Sequence, residues 1–242
     1  MRLSTWSCAG SLAAAVLVAG CGGGDDGGPA KRQPAVRVGP VVYRDALNDN
    51  RGGWLVDRSH GFVFTDGRYE WGSLPQLPAG PAVESEAMLE RGVPEGIAVS
   101  VAVAQDRGAA LRALYCRARG PLDELPQESY ELGVDGRQAI VRRISNEAPP
   151  RVLARSKLSV PNGRRVRLTA QCVPDADGAL NLALLVDGRA VARARDPKPL
   201  PAVSDGRPTT TGLRAYRRPD GPAEASLAWD DFEARSASIA SK

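Results

Sequence analysis

Leu180-Asn-Leu-Ala-Leu-Leu-Val-Asp-Gly-Arg-Ala-Val-Ala192 is the stretch whose reading decides the fold. Leu180, Leu182, Leu184 and Val186 fall two residues apart, the period of a strand that buries one face. Asp187-Gly188 then supplies the residues that tolerate positive φ in a two-residue hairpin turn. The run is therefore a strand, a tight turn and the start of a returning strand.

The same grammar extends outward. Val166, Leu168, Ala170 and Cys172 alternate with Arg165, Arg167, Thr169 and Gln171. Ile97, Val99, Val101 and Val103 alternate with Ala98, Ser100, Ala102 and Ala104. Asp66-Gly67, Asp135-Gly136, Asn162-Gly163, Asp177-Gly178 and Asp220-Gly221 punctuate the chain as further turn signals. From residue 36 onward no segment sustains a 3.6-residue period; residues 84–91 suit a helical turn about as well as a strand. Many short strands with regular turns predict an all-β, two-sheet antiparallel sandwich over residues 36–236, followed by a disordered tail at 237–242.

The beginning of the chain reads differently. Met1-Arg2-Leu3 carries one positive charge, and Leu12-Ala-Ala-Ala-Val-Leu-Val-Ala19 is a short apolar run. A basic start, a short apolar core and small residues before a cut describe a secretory leader over residues 1–20. The run is far below the ~20 apolar residues that span a bilayer. Val18-Ala19-Gly20-Cys21 resembles the bacterial lipobox, an aliphatic residue and two small residues ahead of a cysteine. That resemblance implies cleavage before Cys21 and lipidation of its thiol. Stable anchoring of this kind takes more than one acyl chain, each contributing ~0.8 kcal/mol per buried CH₂. The expected address is extracytoplasmic, on the outer face of the bacterial cytoplasmic membrane. Residues 21–35, with Gly22-Gly-Gly-Asp-Asp-Gly-Gly28, read as a flexible tether. Gly22, Gly24 and Gly27 match a dinucleotide-binding spacing, but that motif needs a strand before it and a helix after it, and the sequence supplies neither.

Composition narrows the function classes. The formal net charge is +4, and the leader carries only Arg2, so the remainder sums to +3. Positive and negative residues are mixed, whereas nucleic-acid binding needs a concentrated basic face; no nucleic-acid partner is expected. Of four cysteines, Cys8 leaves with the leader and Cys21 takes the lipid. Cys116 and Cys172 remain as an even pair in an oxidising compartment, which predicts a disulfide. The lone histidine, His60, sits in a turn-like stretch without a G-x-S-x-G elbow. One histidine and a paired set of cysteines leave no zinc ligand set, and no cofactor is expected.

Four further stretches carry a family resemblance. Asp45-Ala-Leu-Asn-Asp-Asn-Arg-Gly-Gly-Trp54 with Phe62-Val-Phe-Thr-Asp-Gly-Arg-Tyr69 resembles the "D-F-x-D-x-x-x-G-W … Y-x-D-G-x-Y" opening of bacterial concanavalin A-like jelly-roll domains. Ala46 departs from it, standing where that opening usually has Phe. The hairpin at 180–192 is similar to the family's "L-x-L-x-V-N-G-x-x-V-A". Gly212-Leu213 and Leu227-Ala-Trp-Asp-Asp-Phe-Glu233 are similar to its closing strand. The resemblance spans residues 42–235 in the family's order and fits the pairing of Cys116 with Cys172. Within it, Arg142 to Ser159, with Pro149-Pro150, reads as irregular.

The resemblance implies a carbohydrate-related function in one of two forms. Jelly-roll glucanases carry E-x-D-x-x-E on one strand, a spacing that does not occur in this chain. The nearest acidic cluster, Asp230-Asp231 with Glu233, matches a closing motif that is mostly structural, and Asp175-Ala-Asp177-Gly178 reads as a turn rather than a calcium loop. No catalytic residue and no metal ligand is assigned. A lectin needs only exposed aromatics for stacking and polar neighbours for the hydroxyls. Trp71, Tyr115 and Tyr130, with Arg117 and Arg142, are the candidates for ligand binding; packing of the same rings in the core is the competing assignment. Trp54 and Trp229 are assigned to the core. The expected function is a membrane-anchored, non-catalytic lectin-like lipoprotein whose partner is a cell-wall or extracellular glycan. The alternatives are a glycoside hydrolase or lyase with an unrecognised carboxylate pair, and a module that binds another envelope protein.

Overall fold

A computed structural model describes residues 33–240, apart from 55, 57–60, 73–80, 88–92, 109, 120–127, 146–147, 205–206 and 218–223. Over 81–87 and 203–208 it describes the backbone alone. Cys21, the leader, most of the tether, His60 and the Asp220-Gly221 turn lie outside the described residues.

The strands in chain order are β1 (Val36–Asp45), β2 (Phe62–Thr65), β3 (Arg68–Gly72), β4 (Pro81–Ala87), β5 (Ile97–Arg107), β6 (Ala110–Arg119), β7 (Glu128–Val134) and β8 (Gln138–Ile144). They continue as β9 (Arg151–Lys157), β10 (Val166–Pro174), β11 (Leu180–Val186), β12 (Arg189–Asp196), β13 (Val203–Ser204), β14 (Arg207–Pro208), β15 (Thr210–Arg217) and β16 (Ser226–Ile239). One sheet runs β12-β11-β10-β5-β16-β3-β2, with β1 also paired to β16; the second runs β4-β15-β6-β7-β8-β9; β13 and β14 form a separate hairpin. The strand pairings described in both sheets are antiparallel.

The alternating residues do what their period predicts. Ile97, Val99, Val101 and Val103, then Val166, Leu168, Ala170 and Cys172, then Leu180, Leu182 and Leu184 are buried in one core between the sheets. At Asp66-Gly67 and Asp187-Gly188 both residues have positive φ, the geometry that follows the right-handed twist of a hairpin. Cys116 on β6 and Cys172 on β10 form a disulfide that ties the two sheets together across this core.

The opening motif is a structural hub. Asp45 Oδ2 accepts from the Trp54 indole N–H at 3.0 Å and from the Tyr43 hydroxyl at 3.2 Å, and its Oδ1 accepts from the Leu47 backbone N–H at 2.8 Å. Trp54 then packs edge-on against Phe232 at 5.0 Å between ring centres. Burial and the nearby Asp45 carboxylate push the Tyr43 hydroxyl up to about 12.

Two stretches differ from expectation and one open choice is decided. β16 pairs with β1 as far as Ile239, opposite Val36, and the Ala240 N–H donates to the Ala35 carbonyl at 2.8 Å. Residues 237–239 are therefore strand, held by a ladder that the closing motif does not reveal. Residues 142–144 and 151–157 belong to two strands, β8 and β9, paired with a register shift at Val141/Arg142. Residues 81–87 are strand, so the strand option holds there up to Ala87.

Candidate functional site

The six-stranded sheet buries residues on both faces, while on the second face β9 stays exposed at Val152, Arg155 and Lys157. Leu114, Cys116, Tyr130, Leu132, Val134, Ala139, Val141, Leu213 and Ala215 point into the core. Their neighbours in sequence point to the opposite face, where Leu111, Ala113 and Ile140 form a smaller apolar cluster with Tyr216 against it.

Antiparallel register carries one row of residues across this second face. Gly212 on β15 pairs with Tyr115 on β6, Tyr115 with Glu131 on β7, Glu131 with Arg142 on β8, and Arg142 with Val152 on β9. Directly opposed residues sit ~4.5–5.5 Å apart at Cβ, so side chains along such a row touch. Gly212 is needed there: a Cβ would lie 2.5 Å from the Tyr115 hydroxyl oxygen, in the space the ring fills.

Glu131 is the centre of the row. Its side chain is 1% exposed and its Oε1 accepts from the Arg214 guanidinium, itself fully buried. The Tyr216 hydroxyl donates to the same oxygen at 2.6 Å, and Arg142 Nε donates to Oε2 at 2.5 Å. Arg214 also donates to the Ser129 hydroxyl at 3.1 Å and lies over the Tyr115 ring at 5.2 Å from its centre. Arg142 stacks on Tyr216 at 4.9 Å. Burial by itself raises a carboxyl, but here the charges of Arg214 and Arg142 and the donated hydrogen bonds outweigh it and hold Glu131 below the usual carboxylate range. Tyr216 moves the other way, raised by burial and by the Glu131 charge.

Chemically this is a fixed ion cluster with more guanidinium than carboxylate. Glu131 is an acceptor and stays ionised at neutral pH. Arg142 has its Nε anchored while its side chain keeps 19% exposure, so the terminal amino groups are the part left to meet a ligand.

The sequence-derived candidates divide. Tyr115 and Arg142 belong to the row. Tyr115 is buried, however, and meets Gly212 and Arg214 rather than solvent. Trp71 is corrected outright: it points into the core, fully buried and beside Phe62. Tyr130 is corrected too. Its hydroxyl donates to the buried Asp196 carboxylate at 2.8 Å and accepts from the Leu200 N–H at 2.9 Å. Arg117 lies at a β6 bulge with φ 50°, and donates to the Leu200 carbonyl at 2.8 Å and the Glu95 carbonyl at 3.3 Å. Both residues tie the 196–200 segment down, and neither offers a face for stacking.

Glu131, Arg214 and Tyr216 escaped the sequence reading. The available signal was a single charge inside an apolar strand, Glu131 between Tyr130 and Leu132 and Arg214 between Leu213 and Ala215. A buried charge needs a partner, and each such residue asks for the other. The acidic motif near the end is occupied elsewhere. On the outer face of the eight-stranded sheet Asp230 pairs with Arg165 at 2.7 Å, Asp231 pairs with Arg165 and Arg167, and Glu233 with Arg44 and Arg235. Asp175 Oδ1 accepts from the Asp177 and Ala179 backbone, as a turn does.

No family model matches the chain, and no curated protein matches it in sequence. Solved structures do match in fold. A Bacillus subtilis protein of unknown function with a galectin-like fold aligns with TM-score 0.55 and 16% identity over 84% of this chain and 99% of its own. A β-1,3-1,4-glucanase (lichenase) from a mouse hindgut metagenome aligns with TM-score 0.55 and 15% identity over 80% and 98%. A Bacillus licheniformis β-glucanase aligns with TM-score 0.54 and 11% identity over 80% and 97%. At these identities the likeness establishes the concanavalin A-like jelly-roll fold and nothing about chemistry.

Proposed function

We propose that this protein is an exported lipoprotein, anchored through Cys21, whose jelly roll binds glycans without cleaving them, using the second face of the six-stranded sheet. The observation that carries this reading is the state of Glu131. A glycosidase acid must hold a proton at working pH, which requires a raised pKa. Glu131 is lowered, with its oxygens committed to Arg214, Arg142 and Tyr216. Such a cluster positions donors; it does not deliver a proton. Glycan binding is supported by the fold shared with proteins named as glucanases, and by a row of polar and aromatic groups that leads to the exposed end of Arg142.

The anchor follows from the leader and lipobox-like segment. Metabolic labelling with a radiolabelled fatty acid tests it: label retained in a Cys21→Ser chain would exclude it. A glycan array probed with the Cys21→Ser mature chain tests binding. Recognition of a defined glycan, lost in Arg142→Ala, is expected. Silence across the array, or release of reducing ends from a bound glycan, would exclude the proposal.

A further inference from the structure

We infer that the ligand is an acidic glycan, a polymer carrying carboxylate or sulfate groups on successive sugar units, held along the β8–β9 edge of the six-stranded sheet. The inference rests on the glycan-binding reading above and adds the chemistry of the ligand.

Register brings three cations to one face. Arg142 pairs with Val152, Ile140 with Arg155, and Gln138 with Lys157. Opposed residues share a face, and Ile140 belongs to the second face with Leu111, Ala113 and Tyr216. Arg142, Arg155 and Lys157 therefore stand in three successive rows of that face. Rows on one face are two residues apart, about 6.8 Å along the strand. The three cations thus mark a line at the sheet edge, since β9 is the terminal strand.

Their partners do not neutralise them. Arg142 spends its Nε on Glu131, leaving the terminal amino groups at the surface. Arg155 and Lys157 are exposed, and among the described residues neither is placed in an ion pair. Arg214 is spent on Glu131 and stands opposite Glu84 of β4 in register, so it adds no free charge to the face. Asp135, the acid nearest in sequence to Gln138, is engaged by the Arg137 and Gln138 backbone N–H groups and the Gln138 side chain. Glu84 and Glu86 belong to β4, at the opposite edge of the sheet.

The outer face of the other sheet offers a contrast. There Arg165, Arg167, Arg44 and Arg235 each have an aspartate or glutamate partner. Arg155 and Lys157 at the β8–β9 edge have no such partner among the described residues. Val152, 43% exposed and opposite Arg142, supplies an apolar spot for the C–H face of a sugar. A guanidinium fixed by stacking and by one hydrogen bond presents its remaining donors as a fork that fits a carboxylate or sulfate.

The test measures binding of the full mature chain, carrying Cys21→Ser, to polygalacturonate, to the same polymer after carboxyl reduction, to heparin, and to single-stranded DNA. Binding to polygalacturonate or heparin that weakens with salt is expected, with the reduced polymer and DNA bound far more weakly. Arg155→Gln/Lys157→Gln should weaken it about tenfold, as loss of two exposed ion pairs does. Arg142→Lys, which keeps the charge and loses the fork, should weaken it further, with Tm measured alongside because Arg142 also holds Glu131. Equal affinity for the reduced polymer would overturn the acidic-ligand inference and leave glycan binding standing. Equal affinity for DNA would show a general polyanion surface and overturn it as well. So would an unchanged affinity in Arg155→Gln/Lys157→Gln. A chain that binds a neutral glycan on the array and neither acidic polymer refutes the inference alone; one that binds no glycan refutes both.

Discussion

Replacing Glu131 by leucine should unfold this protein at a much lower temperature, although the substitution adds apolar bulk to a buried site. The carboxylate is 1% exposed and faces the Arg214 guanidinium, which is not exposed at all. Removing one member of such a pair takes from the buried Arg214 charge its Glu131 partner, at a cost of up to about 3–5 kcal/mol. For a domain of this size each kcal/mol moves Tm by about 2–4 °C, so Glu131→Leu should lower Tm by roughly 6–20 °C. Glu131→Leu/Arg214→Met should recover most of that loss, because replacing both charges by apolar groups is often neutral or better. Urea unfolding followed by tryptophan fluorescence suits the measurement, since Trp54, Trp71 and Trp229 are all buried. The pH dependence has a defined sign. The folded carboxyl lies below its ordinary value of 4.5, so its contribution is complete above that value and is lost as pH falls through the lower folded value. A loss below about 1 kcal/mol in Glu131→Leu, or a double variant no more stable than the single one, would refute the account of a tightly coupled buried pair.

Reduction of the Cys116–Cys172 bridge, which closes 56 residues of sequence separation, should destabilise the fold by up to about 4 kcal/mol by chain entropy; urea midpoints of the oxidised protein and of Cys116→Ala/Cys172→Ala measure it. Asp45→Ala removes the acceptor of the Trp54 indole N–H and should cost about 1–3 kcal/mol, with Asp45→Asn costing less; equal effects of the two would argue against a hydrogen-bonding role. Gly212→Ala forces a methyl against the Tyr115 ring and should cost about 1–3 kcal/mol as overpacking, an effect that Tyr115→Ala should relieve in the same background.

Strand parity explains which candidate residues could be placed in advance. On β10 the outward positions are Arg167, Thr169 and Gln171, and the inward ones Val166, Leu168, Ala170 and Cys172. One phase is polar and the other apolar, so the inner face is legible. On β6 and β7 both phases are buried: Leu111, Ala113 and Tyr115 on one side, Ala110, Leu114 and Cys116 on the other. Neither phase announces itself as core. That is why parity does not separate Tyr130 from Tyr115, both aromatic and both in apolar strands, although they face opposite ways.

From the chain alone, then, came the sandwich, its tight Asp-Gly hairpins, the cysteine pairing and the residues that line the core of β5, β10 and β11. All of these rest on local periodicity or on a count of residues. The expected leader and lipidated cysteine have the same local origin. What only the tertiary structure decided is the row Gly212–Tyr115–Glu131–Arg142–Val152 and the line of Arg142, Arg155 and Lys157 beside it. Glu131 and Arg214 are separated by 83 residues in sequence, and they meet because β15 inserts between β4 and β6, a pairing that no local pattern encodes. The register of long-range strand pairs is set by how two whole faces fit together. A binding row that runs across strands can be read only once that fit exists.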